Sequence, residues 1–170
     1  YYQFGRMPPP PGNVTAKVLR SRGSRRGVEL SMGPEGKIKI KVSVYAPKGK
    51  GPFPAIVRGW GSISKVPGDI RAEVIRRGYM LAEYAYNDLD PDRRDVVGPA
   101  QAAYPDYDWA TIAVWAWGGM RVIDWLVTLP EVDGKKLDIE IRAATEKTFD
   151  VVVRALLSHE DLRAERECKT

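Results

Sequence analysis

The segment at positions 106–147 constrains the fold of this chain most, because it places a short strand between two stretches of helical period. The first stretch predicts an amphipathic helix over 108–128, whose inward face is expected to carry five apolar side chains: Ile112, Trp115, Val122, Ile123 and Leu126. Pro130 ends that helix, 136–141 is predicted to be a strand, and 145–166 a second helix. In an α/β enzyme, a nucleophile sits at the sharp turn between such a strand and such a helix.

The predicted helix over 108–128 also holds three further tryptophans and two central glycines. Trp109, Trp117 and Trp125 widen its apolar surface. A tryptophan stripe at helical spacing is typical of a protein core, and the alternative is a platform on which sugars stack. Gly118 and Gly119 each cost the helix about 1 kcal/mol relative to alanine. That cost is tolerable where another backbone comes close, as when a helix lies tightly on a sheet.

The N-terminal part of the sequence predicts an extended arm followed by antiparallel strands. The four prolines at 8–11 fix the backbone and donate no hydrogen bonds, so 1–14 is expected to be an extended leader on the surface. Short strands are predicted at 15–22 and 26–32. The sequence KIKIKVSVYAP follows a Pro-Glu-Gly turn and alternates apolar with polar residues, which predicts a β-hairpin over 26–46 with one buried face.

The pattern changes at Phe53, where longer apolar runs replace the alternation. FPAIVRGWGS is a short apolar run, predicted to form a strand, that ends in Gly59-Trp60-Gly61. GDIRAEVIRRGY is predicted to be a helix that begins near Asp69 and is capped by Gly78, and MLAEYAY another strand. Strand, helix and strand in this order predict a βα alternation built on a buried sheet. We therefore expect a single domain over 15–170.

A polar connection at 86–107 follows, and a loop of this length without regular structure is usually functional or disordered. Asp88, Asp90 and Asp92 have the alternate spacing of a calcium loop. Such a loop also needs a glycine at its sixth position and a glutamate at its twelfth, and the sequence has neither. We therefore interpret these aspartates as turn-forming and helix-capping residues, and expect no metal and no other cofactor.

The net charge of +5 is concentrated in one place, where Arg20, Arg22, Arg25 and Arg26 lie close together in the sequence. Such a cluster could contact nucleic acid or an acidic polymer. Since no nucleic-acid-binding motif accompanies it, a solvated loop or strand edge is the favoured interpretation, and no nucleic-acid partner is expected. No apolar run approaches the ~18 residues of a membrane span, so no membrane partner is expected either.

Four segments resemble α/β-hydrolases of the glucuronoyl esterase type (carbohydrate esterase family 15) and related acetylxylan-esterase-like proteins. In chain order they are MPPPPGNVTAKVL, GKIKIKVSVYAPKGKGPFPAIV, RRGYMLAEYAYNDLDPDRRD and DWATIAVWAWGGMRVIDWLVTLPEVDGKKL, and they cover about 7–137. The resemblance implies a partial α/β-hydrolase fold, in which an antiparallel hairpin leads into a mostly parallel sheet flanked by helices. It also implies a serine ester hydrolase that acts on carbohydrate-linked esters, such as glucuronoyl or acetyl esters of xylan, and a secreted or periplasmic location.

The chain departs from this family at the nucleophile. Such proteins continue into Gly-x-Ser-Arg-x-Gly-Lys, but here a gap-free count puts the serine position on Ala143 and the closing lysine on Lys147, with neither glycine present. No catalytic residue is therefore assigned. One element carries over by resemblance: Gly59, Trp60 and Gly61 follow the third core strand, where an α/β-hydrolase supplies a backbone N–H to the oxyanion. The alternative is that both glycines are simply turn residues.

No substitute for the missing triad is expected. His159 is the sole histidine, and its neighbours Ser158 and Glu160 lie beside it on a predicted helix. Adjacent helical residues point about 100° apart and cannot form a hydrogen-bonded relay. The sole cysteine, Cys168, excludes both a disulfide within the chain and a zinc site built from several cysteines.

Three hypotheses follow for function. The first is the N-terminal part of a carbohydrate esterase that is inactive as it stands. The second is a non-catalytic remnant, truncated or frame-shifted, or a binding module, because the resemblance stops near Leu137 although the gap-free count still lands on Lys147. The third is a nucleic-acid binder that uses the arginines at 20–26. A partial sheet would also leave one edge exposed, so self-association is expected.

Overall fold

The computed structural model describes residues 5–62, 68–142 and 150–153. These residues form one seven-stranded sheet whose spatial order is β1-β2-β3-β5-β4-β6-β7. The strands are β1 (Thr15–Arg22), β2 (Arg25–Met32), β3 (Ile38–Tyr45), β4 (Phe53–Trp60), β5 (Met80–Ala85), β6 (Val132–Arg142) and β7 (Asp150–Val153). The helices are α1 (Gly68–Arg76), α2 (Pro99–Ala103) and α3 (Thr111–Leu126), with single 3₁₀ turns at Pro34–Gly36 and Tyr86–Asp88.

The sheet is mixed. Strand β4 pairs in parallel with β5 on one side and β6 on the other, whereas β1, β2, β3 and β5 pair antiparallel in succession, as do β6 and β7. Helix α1 connects β4 to β5, and α3 connects β5 to β6 in the opposite direction across the sheet. Because such crossovers are right-handed, the two helices cover opposite faces. The predicted class, a partial α/β-hydrolase fold with a hairpin leading into a helix-flanked sheet, is confirmed.

The β2–β3 hairpin confirms the alternation predicted over 26–46. Val28 lies opposite Val42 and Leu30 opposite Ile40, and these four side chains are buried. Successive residues of a strand point to opposite faces, so the lysines between them are exposed to solvent. The leader lies against this hairpin, because the Asn13 side chain exchanges two hydrogen bonds with the backbone of Gly33, at 2.7 and 3.0 Å.

Helix α3 covers the apolar face of the sheet, and its tryptophans belong to the core as interpreted. Trp115 and Trp117 are fully buried and Trp125 is nearly so, while Trp109, also buried, precedes the helix. The prediction for Ile112 was wrong, because the helix begins only at Thr111 and its first turn leaves the Ile112 side chain 38% exposed.

A close neighbour was expected at the two helical glycines, and Gly118 has one, but it is a side chain and not the expected backbone. A Cβ atom at Gly118 would lie 2.1 Å from Cδ1 of Leu89, so a side chain rather than a backbone occupies the space. Leu89 belongs to the connection over 86–107, which contains a 3₁₀ turn and α2 and is therefore more ordered than predicted.

One predicted helix cap is confirmed, and one predicted helix is wrong where the structure describes it. Gly78 caps α1 as predicted, because it follows the helix with a φ of 86° and donates its N–H to the Ile75 carbonyl oxygen, while Tyr79 donates to that of Val74. The second helix predicted over 145–166 is wrong at 150–153, where β7 pairs with β6. Three successive valines there favour a strand. The other residues of that prediction lie outside the described ranges.

Candidate active-site edge

Strands β5, β4 and β6 run in parallel, so their carboxyl ends meet at one edge of the sheet. Gly59 of β4 lies between Tyr84 of β5 and Ile141 of β6 in the same row of the sheet. Strands β4 and β6 both end one residue beyond that row. Open α/β sheets bind ligands outside such carboxyl ends, which makes this edge the candidate functional site.

Gly59 is a strand residue and not part of a loop, in contrast to the expectation that the loop begins there. The aromatic ring of Tyr84 occupies the position that a side chain at Gly59 would fill, since an added Cβ would lie 2.6 Å from the Tyr84 hydroxyl oxygen. That hydroxyl donates a hydrogen bond of 2.6 Å to the Trp115 carbonyl oxygen. Burial raises the pKa of Tyr84 far above its usual value, so the phenol keeps the proton that it donates.

The strand continues through Trp60, and Gly61 is the first residue beyond it. A Cβ at Gly61 would lie 3.3 Å from Asn87 Nδ2 and 3.6 Å from the Tyr86 hydroxyl oxygen, so side chains after β5 border this turn. Trp60 is partly exposed, and the guanidinium of Arg58 lies 5.3 Å from the centre of its ring. Gly61 therefore lies beside the Asn87 and Tyr86 side chains, and the Trp60 ring lies beside the Arg58 guanidinium.

A buried aspartate supports the connection that borders this edge. Asp90 is fully buried, and its Oδ1 accepts a hydrogen bond of 2.8 Å from the Gly98 N–H. Its carbonyl oxygen accepts another of 2.8 Å from Trp115 Nε1, and the Trp115 ring stacks on Tyr86 with centroids 4.0 Å apart. Asp90 therefore closes its own loop and fastens it to α3. The sequence indicated a turn-forming role but not the burial.

A buried row of charges on the α1 face was not foreseen. Glu83 of β5 is 3% exposed and Arg58, opposite it on β4, is 6% exposed. Arg71 of α1 lies 3.5 Å from Glu83 Oε2, and its guanidinium lies 4.5 Å from the centre of the Tyr45 ring. Charged residues inside the apolar runs FPAIVRGW and MLAEYAY were the signal that could have indicated this row, because buried charges are normally paired.

The structure brings together Gly59, Trp60 and Gly61 at this edge. Ala143 and the neighbours Ser158, His159 and Glu160 lie outside the described ranges. Within 5–62, 68–142 and 150–153, no group of three or more histidine, cysteine, aspartate or glutamate side chains is arranged to hold a metal ion. No described helix is both long and apolar enough to span a membrane. This edge therefore presents the backbone of Gly61 beside the Asn87 and Tyr86 side chains.

Comparison with known proteins shows which proteins this chain resembles in sequence and fold. No family model matches the chain. It is 27% identical over 126 residues to a 4-O-methyl-glucuronoyl methylesterase of Thermothelomyces thermophilus, an alignment that covers 74% of this chain and 29% of that protein. A glucuronoyl esterase from Solibacter usitatus superposes with a TM-score of 0.66 at 19% identity, over 82% of this chain and 48% of the other.

A glucuronoyl esterase of carbohydrate esterase family 15 from Caldicellulosiruptor kristjansonii gives a TM-score of 0.64 at 23% identity, over 84% of this chain and 42% of the other. The chain therefore spans less than half the length of these solved relatives and less than a third of the curated one. These similarities confirm the recognition made from the sequence. The chain has a partial α/β-hydrolase fold and resembles the N-terminal part of the glucuronoyl esterases.

Proposed function

We propose that this chain is part of a carbohydrate-ester hydrolase of the glucuronoyl type, that it supplies the oxyanion side of the site, and that it hydrolyses no ester by itself. The observation that supports the proposal is the parallel ladder between β4 and β6. Gly59 lies opposite Ile141, and both strands end at the next residue, so the chain leaves β6 beside Trp60 and Gly61. In an α/β-hydrolase the nucleophile follows such a strand.

The residue that follows β6 is Ala143, whose methyl group cannot attack an ester. In this proposal the N–H of Gly61, the first residue beyond β4, stabilises an oxyanion that forms over this edge. Removal of one such donor typically lowers kcat about 10²–10³-fold, so a correctly placed N–H is a substantial part of an esterase site. Without an activated nucleophile, however, the donor has no tetrahedral intermediate to stabilise.

Hydrolysis assays test the catalytic part of the proposal. The chain is incubated with benzyl glucuronate and with p-nitrophenyl acetate, and both are expected to hydrolyse at the rate seen in buffer alone. A serine-directed phosphonate is then added, and mass spectrometry is expected to show no adduct. Turnover that the phosphonate abolishes, together with a labelled serine, would show that the chain has a nucleophile of its own.

Ligand binding tests the placement of the site. Trp60 is partly exposed, whereas the other four tryptophans are buried, so a ligand at this edge should alter its fluorescence. The probe is the methyl ester of 4-O-methyl-glucuronate at millimolar concentration. We expect a fluorescence change that disappears in Trp60→Phe and persists in Trp125→Phe. Absence of any change in the parent chain would contradict a uronate-ester site at this edge.

The second candidate is a non-catalytic remnant that arose by a shifted reading frame. It is favoured by one observation, namely that the resemblance ends near Leu137 while the gap-free count still places Lys147 at the closing lysine. The encoding DNA decides the matter. A frame after codon 137 that encodes Ser-Arg-x-x-Gly-Lys or a similar sequence is expected under this candidate, and its absence would exclude the frameshift.

A further inference from the structure

The outer face of the β1–β3 sheet carries a groove with a volume of about 310 Å³. Four cationic side chains line it: Arg20, Arg22, Arg25 and Lys41. All four are exposed to solvent, and no acidic side chain is among the described residues that line the groove. A concave surface with one sign of charge concentrates counter-ions of the opposite sign.

Strand pairing explains why these side chains converge. Arg20 lies opposite Gly27 and Arg22 opposite Arg25, so the three arginine side chains point to the same face of the sheet. A register shift between Val18 and Arg20 marks an irregularity in β1 at this point. Leu19 occupies that irregularity, and its half-exposed side chain forms an apolar wall of the groove.

The floor of the groove is open because Gly27 has no side chain. Gly27 lies opposite Ser43 of β3, and a Cβ added at Gly27 would meet no atom closer than 3.9 Å. A ligand group can therefore approach the backbone between Arg20 and Lys41. The groove thus combines cations at its rim, one apolar wall and a free floor, which suits a group that is both anionic and rich in C–H surface.

The lining favours a carboxylate-bearing sugar over nucleic acid. Arginine pairs bidentately with a planar carboxylate. Single-stranded nucleic acids need aromatic side chains on which bases stack, and none of the described lining residues is aromatic. A duplex is held by many phosphate contacts over a wide surface, whereas this groove is a single concavity of about 310 Å³.

The position of the groove relates it to the candidate active-site edge. Gly27, Ser43, Glu83 and Arg58 are successive partners in one row across β2, β3, β5 and β4. Three strand spacings therefore separate the groove from β4, a distance of about 14 Å. Helix α1 covers this row at Glu83, so a polysaccharide that occupies both the groove and the edge would pass over α1.

We propose that this groove binds a uronate-bearing polysaccharide through its free carboxylates. The choice of polymer rests on the proposed function, because the product of glucuronoyl ester hydrolysis is a uronate carboxylate. The interaction requires no nucleophile and no turnover. Binding is therefore expected in the chain as it stands, and it weakens with added salt because exposed charges are screened.

Equilibrium binding to fully de-esterified polygalacturonate, followed at low ionic strength, tests the proposal. Arg20→Ser/Arg22→Ser is expected to raise the apparent Kd about tenfold, since the loss of each exposed ion pair weakens binding about threefold. The control is Lys48→Ser/Lys50→Ser, which removes the same charge from the exposed loop between β3 and β4 and should change the Kd by less than about twofold. Far-UV circular dichroism verifies that both variants fold.

Gly27→Asp provides a second test, because it places a carboxylate on the floor of the groove and should abolish binding. Equal losses in the groove variant and the lysine control would overturn the proposal. So would binding of neutral xylan as tight as that of polygalacturonate, or tighter variant-sensitive binding of a short DNA duplex. Since this assay reads no hydrolysis and uses no ester, failure here leaves the proposed esterase relationship standing, and failure of the ester assays leaves the groove standing.

Discussion

Alanine in place of Gly59 tests how the candidate edge is built. The added Cβ would lie 2.6, 2.7 and 2.9 Å from the hydroxyl oxygen, Cζ and Cε1 of Tyr84. Carbon atoms of a protein core are normally about 3.5–4.0 Å apart, so the ring must retreat by roughly 1 Å. Tyr84 is fully buried between the sheet and α3, which leaves the ring little space for that movement.

Two costs follow from the displaced ring. Overpacking of a close-packed core typically costs about 1–3 kcal/mol. Movement of the ring also breaks the hydrogen bond from the Tyr84 hydroxyl to the Trp115 carbonyl oxygen. A buried polar group without a hydrogen bond costs about 1–3 kcal/mol more. We therefore expect Gly59→Ala to lower the free energy of unfolding by about 3 kcal/mol. In a domain of this size that corresponds to a fall in Tm of roughly 10 °C.

Thermal and chemical unfolding, followed by circular dichroism, measure the effect. Gly61→Ala is the matched control, because the tightest contact of its Cβ would be with the exposed Asn87 side chain, at 3.3 Å, while its contacts with Tyr86 would lie at 3.6 Å or more, and it should cost less than about 1 kcal/mol. The double variant Gly59→Ala/Tyr84→Phe removes the atom nearest to the clash. We expect it to be less destabilised than the sum of its single variants. A Tm for Gly59→Ala within about 2 °C of the parent would refute the reasoning.

Three further predictions concern other parts of the fold. Glu83→Gln removes the buried carboxylate that lies 3.5 Å from the Arg71 guanidinium and should cost about 3 kcal/mol in urea unfolding, whereas an unchanged midpoint would contradict the ion pair. Hydrogen bonds, the largest from Arg76, lower the pKa of Glu73 from 4.5 to about 2, so its stabilisation is present above the unfolded value and disappears as pH falls from about 4.5 through about 2. The melting difference between the parent and Glu73→Gln should therefore shrink as the pH falls from about 4.5 to about 2, and a difference that stays constant over this range would contradict this contact. Asn13→Ala removes both hydrogen bonds to the β2–β3 turn, so hydrogen exchange at that turn should accelerate while the global Tm changes little. Equal exchange rates in the variant and the parent would show that these two hydrogen bonds do not hold the turn.

The elements that were predicted correctly are those whose sequence pattern reports directly on burial. The alternation in KIKIKVSVYAP predicts β3, since one face of that strand is buried and the other solvated over its first half. The 3.6-residue period predicts α3 for the same reason. The sequence could not indicate that β4 lies between β5 and β6, because a continuous apolar run states only that both faces are covered. The family resemblance implied a hairpin that leads into a helix-flanked sheet, and the strand order comes from the structure.

The arrangement of the candidate edge was harder to predict from the sequence, because its key contact, between Gly59 and Tyr84, joins residues that are distant in the chain. Gly59 was expected to favour a turn, since glycine is common in turns. The structure shows instead that glycine is needed because the Tyr84 ring occupies the space of a side chain. The helix predicted over 145–166 fails at 150–153 for a related reason. Its apolar residues fit a helical period, yet a strand edge on β6 is available and β-branched residues favour it.

The position of β4 in the sheet has a consequence for how the chain folds during synthesis. Strands β1, β2 and β3 pair with their neighbours in sequence and can form as soon as they emerge. Strand β4 gains β5 soon afterwards, but its other partner, β6, follows roughly 80 residues later, and contacts of such separation slow folding. At about 5–20 residues per second, the open side of β4 waits some 4–16 s for β6 on the ribosome. A central strand with one open edge for that time is a natural binding target for a chaperone during translation.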